Sequence, residues 1–134
     1  MLGGLGGALS PPRIGVDLVD VPAFEARFAA RDEALAEVFT AAELAYCRGQ
    51  RRPWRHLAVR FAAKEALLKA LTSGLTGAMQ WRDIEVTRDP AGAPGLVVGG
   101  ATGEALRAKG LEAVSVSLSH TATHAVAVVL ITHA

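Results

Sequence analysis

Residues 60–69, which read RFAAKEALLK, lie inside the longest helical stretch of the sequence, residues 54–71. This stretch contains no glycine or proline and is rich in helix-forming residues, so the sequence predicts a single long helix. Leu57, Phe61 and Leu68 lie on one face of that helix, and alanines occupy much of the remaining surface. A helix that is apolar on most sides belongs at the centre of its domain.

The segments on either side of this helix predict an α+β fold. The expected elements are a strand at 13–20, a helix at 23–36, a short helix at 40–48, strands at 81–88 and 96–98, a helix at 102–109, and a hairpin of strands 114–119 and 123–132. This order predicts an antiparallel sheet packed on the long central helix. We expect one domain over residues 13–134, preceded by a flexible leader rich in glycine and proline at residues 1–12.

The composition excludes several classes of function. The chain has 134 residues and a formal net charge of +1, without the strong basic excess of a nucleic-acid binder. No window approaches the ~18 apolar residues of a membrane span, so we expect a cytoplasmic protein without membrane contact. A mean hydropathy of +0.29 is high for a small chain and favours self-association. The single cysteine, Cys47, is predicted to be a packed thiol.

Glu65 and Lys69 are the candidate chemical groups of the long helix. A carboxylate beside an apolar stripe is costly unless a cation, a metal or good donors meet it. Lys69 lies one turn further on nearly the same face, so the helix by itself favours a surface ion pair of ~0.3–0.5 kcal/mol. The other interpretation is a metal carboxylate followed by a phosphate-binding lysine. Magnesium takes one or two carboxylates plus substrate phosphate oxygens, and Asp17 at a strand end would supply the second.

The remaining candidates are each open to a structural interpretation. Asp17 could be a solvated turn residue, and Gly15 could serve packing or allow the close approach of another backbone or a ligand. His120 ends a strand at a hairpin tip, where a polar turn is the simpler explanation. The neighbouring Ser119 and His120 do not predict a hydrolase, because adjacent side chains of a strand point to opposite faces.

Three motifs in this order resemble those of holo-acyl-carrier-protein synthases, the small type of 4′-phosphopantetheinyl transferase. They are Gly15-x-Asp17 on the first strand, residues 60–69 on the long helix, and residues 117–121 before the last strand. The resemblance covers residues 13–131. It implies transfer of the phosphopantetheine arm of coenzyme A to a serine of an acyl carrier protein, with adenosine 3′,5′-bisphosphate as the other product. It also implies a homotrimer with active sites at the subunit interfaces.

The same resemblance implies roles for individual residues. Asp17 and Glu65 would hold Mg²⁺ on the pyrophosphate, where a metal neutralises charge on the phosphate under attack. Lys69 would bind a phosphate oxygen and protonate the leaving group, and Glu65 or a water that it holds would take the proton of the carrier serine. The residues that would bind coenzyme A are Arg60, Lys64, Gly74, His120 and Thr121.

The chain departs from the family pattern on the surface that would meet the carrier protein. Ala23 stands where the family carries an arginine that docks the acidic carrier helix, and Glu33 and Glu37 stand where a basic face is expected. Arg27 and Arg31 could compensate from neighbouring positions. The choice between a fatty-acid and a polyketide carrier, and the tolerance for acyl-coenzyme A, therefore stay open.

Two other functions are compatible with these features. A non-catalytic relative could bind carriers or nucleotides within a biosynthetic complex, as the altered docking positions allow. An α+β oligomerisation module would use the Glu65–Lys69 pair only for structure. Binding of coenzyme A or a metal would raise the thermal stability of the first and not of the second.

Overall fold

The structure is a computed structural model that describes residues 10–134, so most of the predicted leader lies outside the described residues. The strands are β1 (Arg13–Asp20), β2 (Ile84–Arg88), β3 (Pro94–Val98), β4 (Leu111–His120) and β5 (His124–His133). The helices are α1 (Val21–Phe28), α2 (Asp32–Val38), α3 (Ala41–Arg48), α4 (Pro53–Ala70) and α5 (Gly100–Ala108), with a 3₁₀ turn at Trp81–Asp83. The predicted α+β class is confirmed.

The strands form two antiparallel sheets. One has the order β1-β5-β4, so that Asp17 pairs with Ala127 and Ala127 pairs with Leu118. The other contains β2 and β3. The long helix α4 packs on the inner face of the larger sheet, where its alanines and leucines share a core with Val129 and Ile131. The predicted central helix and C-terminal hairpin are therefore both present.

Gly15 allows β1 to pack directly on the long helix. A Cβ atom at this position would lie 1.9 Å from the carbonyl oxygen of Ala66 and 2.8 Å from the backbone nitrogen of Ala70. Real Cβ atoms do not approach other atoms so closely, so only glycine fits. Asp17 lies on the same face of the strand two residues later and is thereby brought to the surface of α4.

The single helix predicted for residues 23–36 is wrong, because the chain forms two helices there. Ala30 has a φ of +60° and breaks the helix between α1 and α2. The break lets Phe28 and Leu35 from the two helices enter one buried cluster. Neither glycine nor proline marks this position, so burial of the two apolar faces outweighs the cost of the left-handed residue.

The strand predicted for residues 81–88 begins later than expected. Its first three residues form the 3₁₀ turn, because the Asp83 carboxylate accepts hydrogen bonds from the Gln80 backbone nitrogen at 2.9 Å and the Thr102 hydroxyl at 2.8 Å. This carboxylate ties the turn to the beginning of α5. The strand itself starts at Ile84.

The outer face of the larger sheet is apolar and open. Ile14, Val16 and Leu18 of β1 are 67%, 54% and 65% exposed, and Val128 of the neighbouring strand is 36% exposed. The three residues of β1 alternate with residues that face α4, as the pleat of a strand requires.

No helix among residues 10–134 is long and apolar enough to cross a membrane.

Candidate active site

Asp17 and Lys69 meet where β1 crosses α4. The Lys69 ammonium donates to Asp17 Oδ1 at 2.8 Å and to the Val16 carbonyl at 3.2 Å. The hydrogen bond that Lys69 donates to Asp17 raises the pKa of Lys69. Within the described residues, Lys69 therefore pairs with Asp17 of the strand, and not with Glu65 of its own helix as the helix alone favours.

Glu65 lies one helical turn before Lys69 and faces the same shallow cavity. Burial and the nearby charge of Asp17 raise the pKa of Glu65, while Lys69 and Arg27 oppose the rise. The residues that line this cavity include Asp17, Ala23, Arg27, Phe61, Glu65 and Lys69. The structure therefore brings together two carboxylates and a lysine that are distant in the sequence.

The two carboxylates fit a magnesium ion better than a metal that needs a full protein cage. Among residues 10–134, no cluster of three or more histidine, cysteine or acidic side chains could hold a metal. Magnesium needs only one or two protein carboxylates, because water and substrate phosphate complete its shell. Burial and then the charge of Asp17 raise the pKa of Glu65, and a cation between the two carboxylates would favour the ionised form of both.

A second group of polar side chains surrounds the first half of α4. The Arg60 guanidinium lies 4.7 Å from the centre of the Tyr46 ring and donates to the His56 carbonyl at 3.2 Å. The His56 and His120 rings are 5.0 Å apart, and Arg88 lies 5.5 Å from the same Tyr46 ring. We call Tyr46, Arg55, His56, Arg60, Arg88 and His120 the basic cluster.

Within the part of the chain that the structure describes, the arginines of the basic cluster form no ion pair with an acidic residue. Burial lowers the pKa of His120, and Arg55 and Arg60 lower it further. Burial is the largest cause of the lowered pKa of His56, and the charge of His120 is the next largest. Several cations without a carboxylate between them are suited to binding an anion.

Four members of the basic cluster were absent from the sequence prediction, which assigned ligand contacts to two members of the cluster, Arg60 and His120. His56 precedes Arg60 by four residues, a spacing that places the two on the same side of a helix. That signal was available in the sequence. Tyr46 and Arg88 come from α3 and β2, so only the fold brings them close.

Lys64 was also predicted to bind coenzyme A, and the structure places its side chain in the interior of the fold. Its ammonium is completely buried and pairs with Glu43 at 2.8 Å, while it also donates to the carbonyls of Trp81 and Ile84. Burial lowers the pKa of Lys64, and the Glu43 charge opposes this. The side chain points into the interior, away from the cavity that its neighbour Glu65 faces. Lys64 therefore holds α4 to α3 and β2.

Gly74 and Thr121 lie at the ends of secondary-structure elements. Gly74 is exposed after α4, and a Cβ atom there would meet nothing within 4 Å. The Thr121 backbone nitrogen donates to the His124 carbonyl at 2.8 Å, while its hydroxyl accepts from the His124 nitrogen at 3.1 Å. Thr121 thus organises the turn after His120. A contact of either residue with coenzyme A stays a prediction.

Cys47 is the packed thiol that its place in the sequence predicts. The side chain is 0% exposed, and burial raises its pKa to about 11. A thiol with so high a pKa is a poor nucleophile at neutral pH.

A model of the 4′-phosphopantetheinyl transferase superfamily matches residues 13–129. The chain is 42% identical to the holo-[acyl-carrier-protein] synthase of Geotalea daltonii over 119 residues, which are 87% of this chain and 94% of that protein. It is also 42% identical to the protein of the same name from Moorella thermoacetica, over 87% of this chain and 91% of that one.

Solved structures of similar proteins share the fold. The crystal structure of holo-[acyl-carrier-protein] synthase from Neisseria meningitidis has a TM-score of 0.80 and 32% identity, covering 90% of this chain and 97% of that chain. A synthase–coenzyme A complex from Chronobacterium ammoniagenes has a TM-score of 0.82 and 27% identity, covering 93% and 99%. The Helicobacter pylori synthase in complex with coenzyme A has a TM-score of 0.77 and 28% identity, covering 89% and 99%.

Proposed function

Because this chain belongs to the holo-[acyl-carrier-protein] synthases of the 4′-phosphopantetheinyl transferase superfamily, we propose that the cavity at Asp17, Glu65 and Lys69 is its active site. The enzyme transfers phosphopantetheine from coenzyme A to an apo-acyl carrier protein. The observation that supports this location is the meeting of the two carboxylates and the lysine at the crossing of β1 and α4.

The proposed reaction is a phosphoryl transfer to a serine of the carrier. The serine oxygen forms a bond to the phosphorus that carries the pantetheine arm, and the bond from that phosphorus to the bridging oxygen breaks. Adenosine 3′,5′-bisphosphate leaves with the bonding electrons. Positioning and electrostatic stabilisation carry most of the catalysis in this class of reaction.

Each side chain of the site has a distinct task in this reaction. Glu65, whose pKa is raised by burial and by Asp17, is suited to accept the serine proton. The Lys69 ammonium can donate to the oxygen of the departing phosphate. Asp17 and Glu65 would hold Mg²⁺, which supplies charge neutralisation of the phosphates when it is bound.

The basic cluster fits the remaining anionic group of the coenzyme. Arg60 precedes Glu65 by five residues, or ~7.5 Å along a helix. Coenzyme A carries a pyrophosphate and a separate 3′-phosphate, so a pyrophosphate at Glu65 leaves the 3′-phosphate for Arg60, His56 and His120. The absence of acidic partners for the cluster arginines, within the described residues, supports this assignment.

His56→Phe is expected to raise the KM for coenzyme A on the order of tenfold with little change in kcat, the effect of losing one hydrogen bond to a charged group. Phenylalanine keeps an aromatic ring beside Tyr46, so the packing should survive. Steady-state kinetics should show no effect with dephospho-coenzyme A, which lacks the 3′-phosphate. Equal losses with the two substrates would contradict the assignment, and His133→Phe serves as the matched control.

The open face of the larger sheet supports a homotrimer with active sites at its interfaces. Ile14, Val16 and Leu18 form an exposed apolar row that subunit contact would remove from water. Asp17 alternates with them on the same strand, so an interface on this face would lie directly beside the active site.

Val16→Glu is expected to give monomers, because it places a charge in the centre of this apolar face. Sedimentation equilibrium should find trimers for the unmodified protein and for the control Val97→Glu. Val97 is also an exposed valine on a strand, at 56%, but it belongs to the other sheet. A trimer that persists in Val16→Glu would place the interface elsewhere.

The carrier protein would meet a less basic surface than the family pattern implies. Ala23, Glu33 and Glu37 are all exposed, so the altered positions do face solvent. Arg27 lines the active-site cavity and is the arginine best placed to contact an acidic carrier helix. This surface favours a carrier whose docking helix is only moderately acidic.

The decisive experiment measures the intact mass of a panel of apo-acyl carrier proteins after incubation with the enzyme, coenzyme A and Mg²⁺. We expect at least one carrier to gain one phosphopantetheine group. Binding of coenzyme A without any mass gain would favour the non-catalytic relative that the altered docking positions allow. If coenzyme A does not bind and no carrier gains mass, the proposed function is overturned.

A further inference from the structure

The ion pair between Lys69 and Asp17 places an ammonium group on a carboxylate that the proposed function gives to a metal. Lys69 donates to Asp17 Oδ1 at 2.8 Å and to the Val16 carbonyl at 3.2 Å, so β1 supplies two acceptors to one ammonium. The Asp17 side chain is only 15% exposed, and this contact is the one ion pair that it makes within residues 10–134.

Neutralisation explains why Lys69 takes this position. Asp17 and Glu65 line the same cavity, and a cation between the helix and the strand lowers the cost of holding two like charges close together. Arg27 lines this cavity as well, but the ion pairs of the described residues do not include it. Lys69 is therefore the cation bound directly to a carboxylate of the site.

The proposed reaction would move the Lys69 ammonium away from Asp17. A divalent cation bound to Asp17 would repel the ammonium. The pyrophosphate of the coenzyme would provide another anion for the ammonium to bind. The Lys69 side chain is 54% exposed and extends from the last turn of α4, so rotation about its own bonds can carry it from one anion to the other.

We propose, resting on the proposed function, that Lys69 is a resident counter-ion of Asp17 that is exchanged for the metal when coenzyme A binds. Before loading, Lys69 competes with the metal for Asp17. After loading, it binds the coenzyme phosphate and no longer competes. Coenzyme A therefore strengthens metal binding by releasing Asp17, in addition to any direct contact between phosphate and metal, and linkage requires the reciprocal effect on coenzyme A.

The test measures the affinity of the full chain for Mn²⁺, as a spectroscopic substitute for Mg²⁺, by electron paramagnetic resonance with and without coenzyme A. Without a carrier protein there is no turnover. Lys69→Met keeps most of the alkyl chain and removes the ammonium. We expect Lys69→Met to bind Mn²⁺ at least about fivefold more tightly than the unmodified protein when coenzyme A is absent, and the enhancement by coenzyme A to shrink by at least the same factor.

Arg27→Gln is the matched control, because it removes a positive charge that acts on Glu65 without touching Asp17. We expect it to change Mn²⁺ affinity less than twofold. An effect equal to that of Lys69→Met would reduce the result to general electrostatics and overturn the exchange, as would unchanged or weaker Mn²⁺ binding in Lys69→Met. Lys69→Gln provides a second neutral side chain, and thermal melting verifies that each variant is folded.

The two levels of inference fail in different ways. If the unmodified protein modifies a carrier and Lys69→Met shows undiminished coupling between Mn²⁺ binding and coenzyme A binding, the exchange alone is overturned. An unmodified protein that neither binds coenzyme A nor modifies any carrier would overturn the proposed function and the exchange with it.

Discussion

Glu65→Gln is expected to lower kcat for carrier modification by at least about a hundredfold while the protein stays folded. Loss of one group that stabilises a transition state typically costs two to three orders of magnitude in rate. Glutamine keeps the size of the side chain but loses the charge that would hold Mg²⁺ and accept the serine proton. The intact-mass assay under single-turnover conditions measures this loss directly.

The stability of this variant separates catalysis from structure. Burial and the Asp17 charge raise the pKa of Glu65, so the ionised side chain is not what stabilises the fold. Thermal melting should therefore find Glu65→Gln as stable as the unmodified protein or slightly more so. Full activity in Glu65→Gln would eliminate the metal role and the base role together.

Lys64→Met is expected to lower the free energy of unfolding by about 3–5 kcal/mol, because it leaves the buried Glu43 carboxylate without its cation. For a chain of this size, such a loss lowers the Tm on the order of 10 °C. Glu43 would still accept from the Val86 nitrogen at 2.9 Å, so the fold should survive at low temperature. Denaturant and thermal unfolding measure both values.

A double variant provides the control for this buried pair. Adding Glu43→Gln to Lys64→Met removes the unpaired charge, so part of the lost stability should return. The KM for coenzyme A of either variant should stay within about twofold of the original, since Lys64 faces the interior. A large rise in KM at unchanged stability would instead restore the ligand contact that the resemblance implies.

The contrast between Lys64 and Glu65 shows what the sequence could and could not predict. Both are charged residues of one motif, and the sequence offers no sign of which one faces the interior. The partner of Lys64 lies on α3, 21 residues earlier, and two further acceptors lie on the segment around β2. A helical wheel does not contain these partners, so only the packed fold determines the direction of each side chain.

Elements with strong local signals were predicted well. The capping box at Thr40 and Glu43 begins α3 as expected, with the Thr40 nitrogen donating to Glu43 at 2.9 Å and the Glu43 nitrogen to the Thr40 hydroxyl at 3.2 Å. The boundary between α1 and α2 lacked such a signal. Its cause is tertiary, because burial of two apolar helix faces selects a left-handed alanine over a continuous helix.

The candidate site was predicted in part for the same reason. Glu65 drew attention because a carboxylate on an apolar helix needs an explanation, whereas Asp17 owed its place to the family pattern. The direct bond from Lys69 to Asp17 spans 52 residues of sequence, so no local pattern could have preferred it to a bond with Glu65. The fold decides between these two partners of the lysine.

Gly15 gives the spacing between the two carboxylates a simple mechanical origin. Its missing methyl group allows the strand backbone to touch the helix backbone at Ala66, one residue after Glu65. Any larger side chain would act as a wedge there, tilting the strand away and widening the gap that one small cation must bridge. The distance between the two carboxylates thus depends on the absence of a Cβ atom at Gly15. A substitution there would disturb the site although it removes no charge, no hydrogen bond and no ligand.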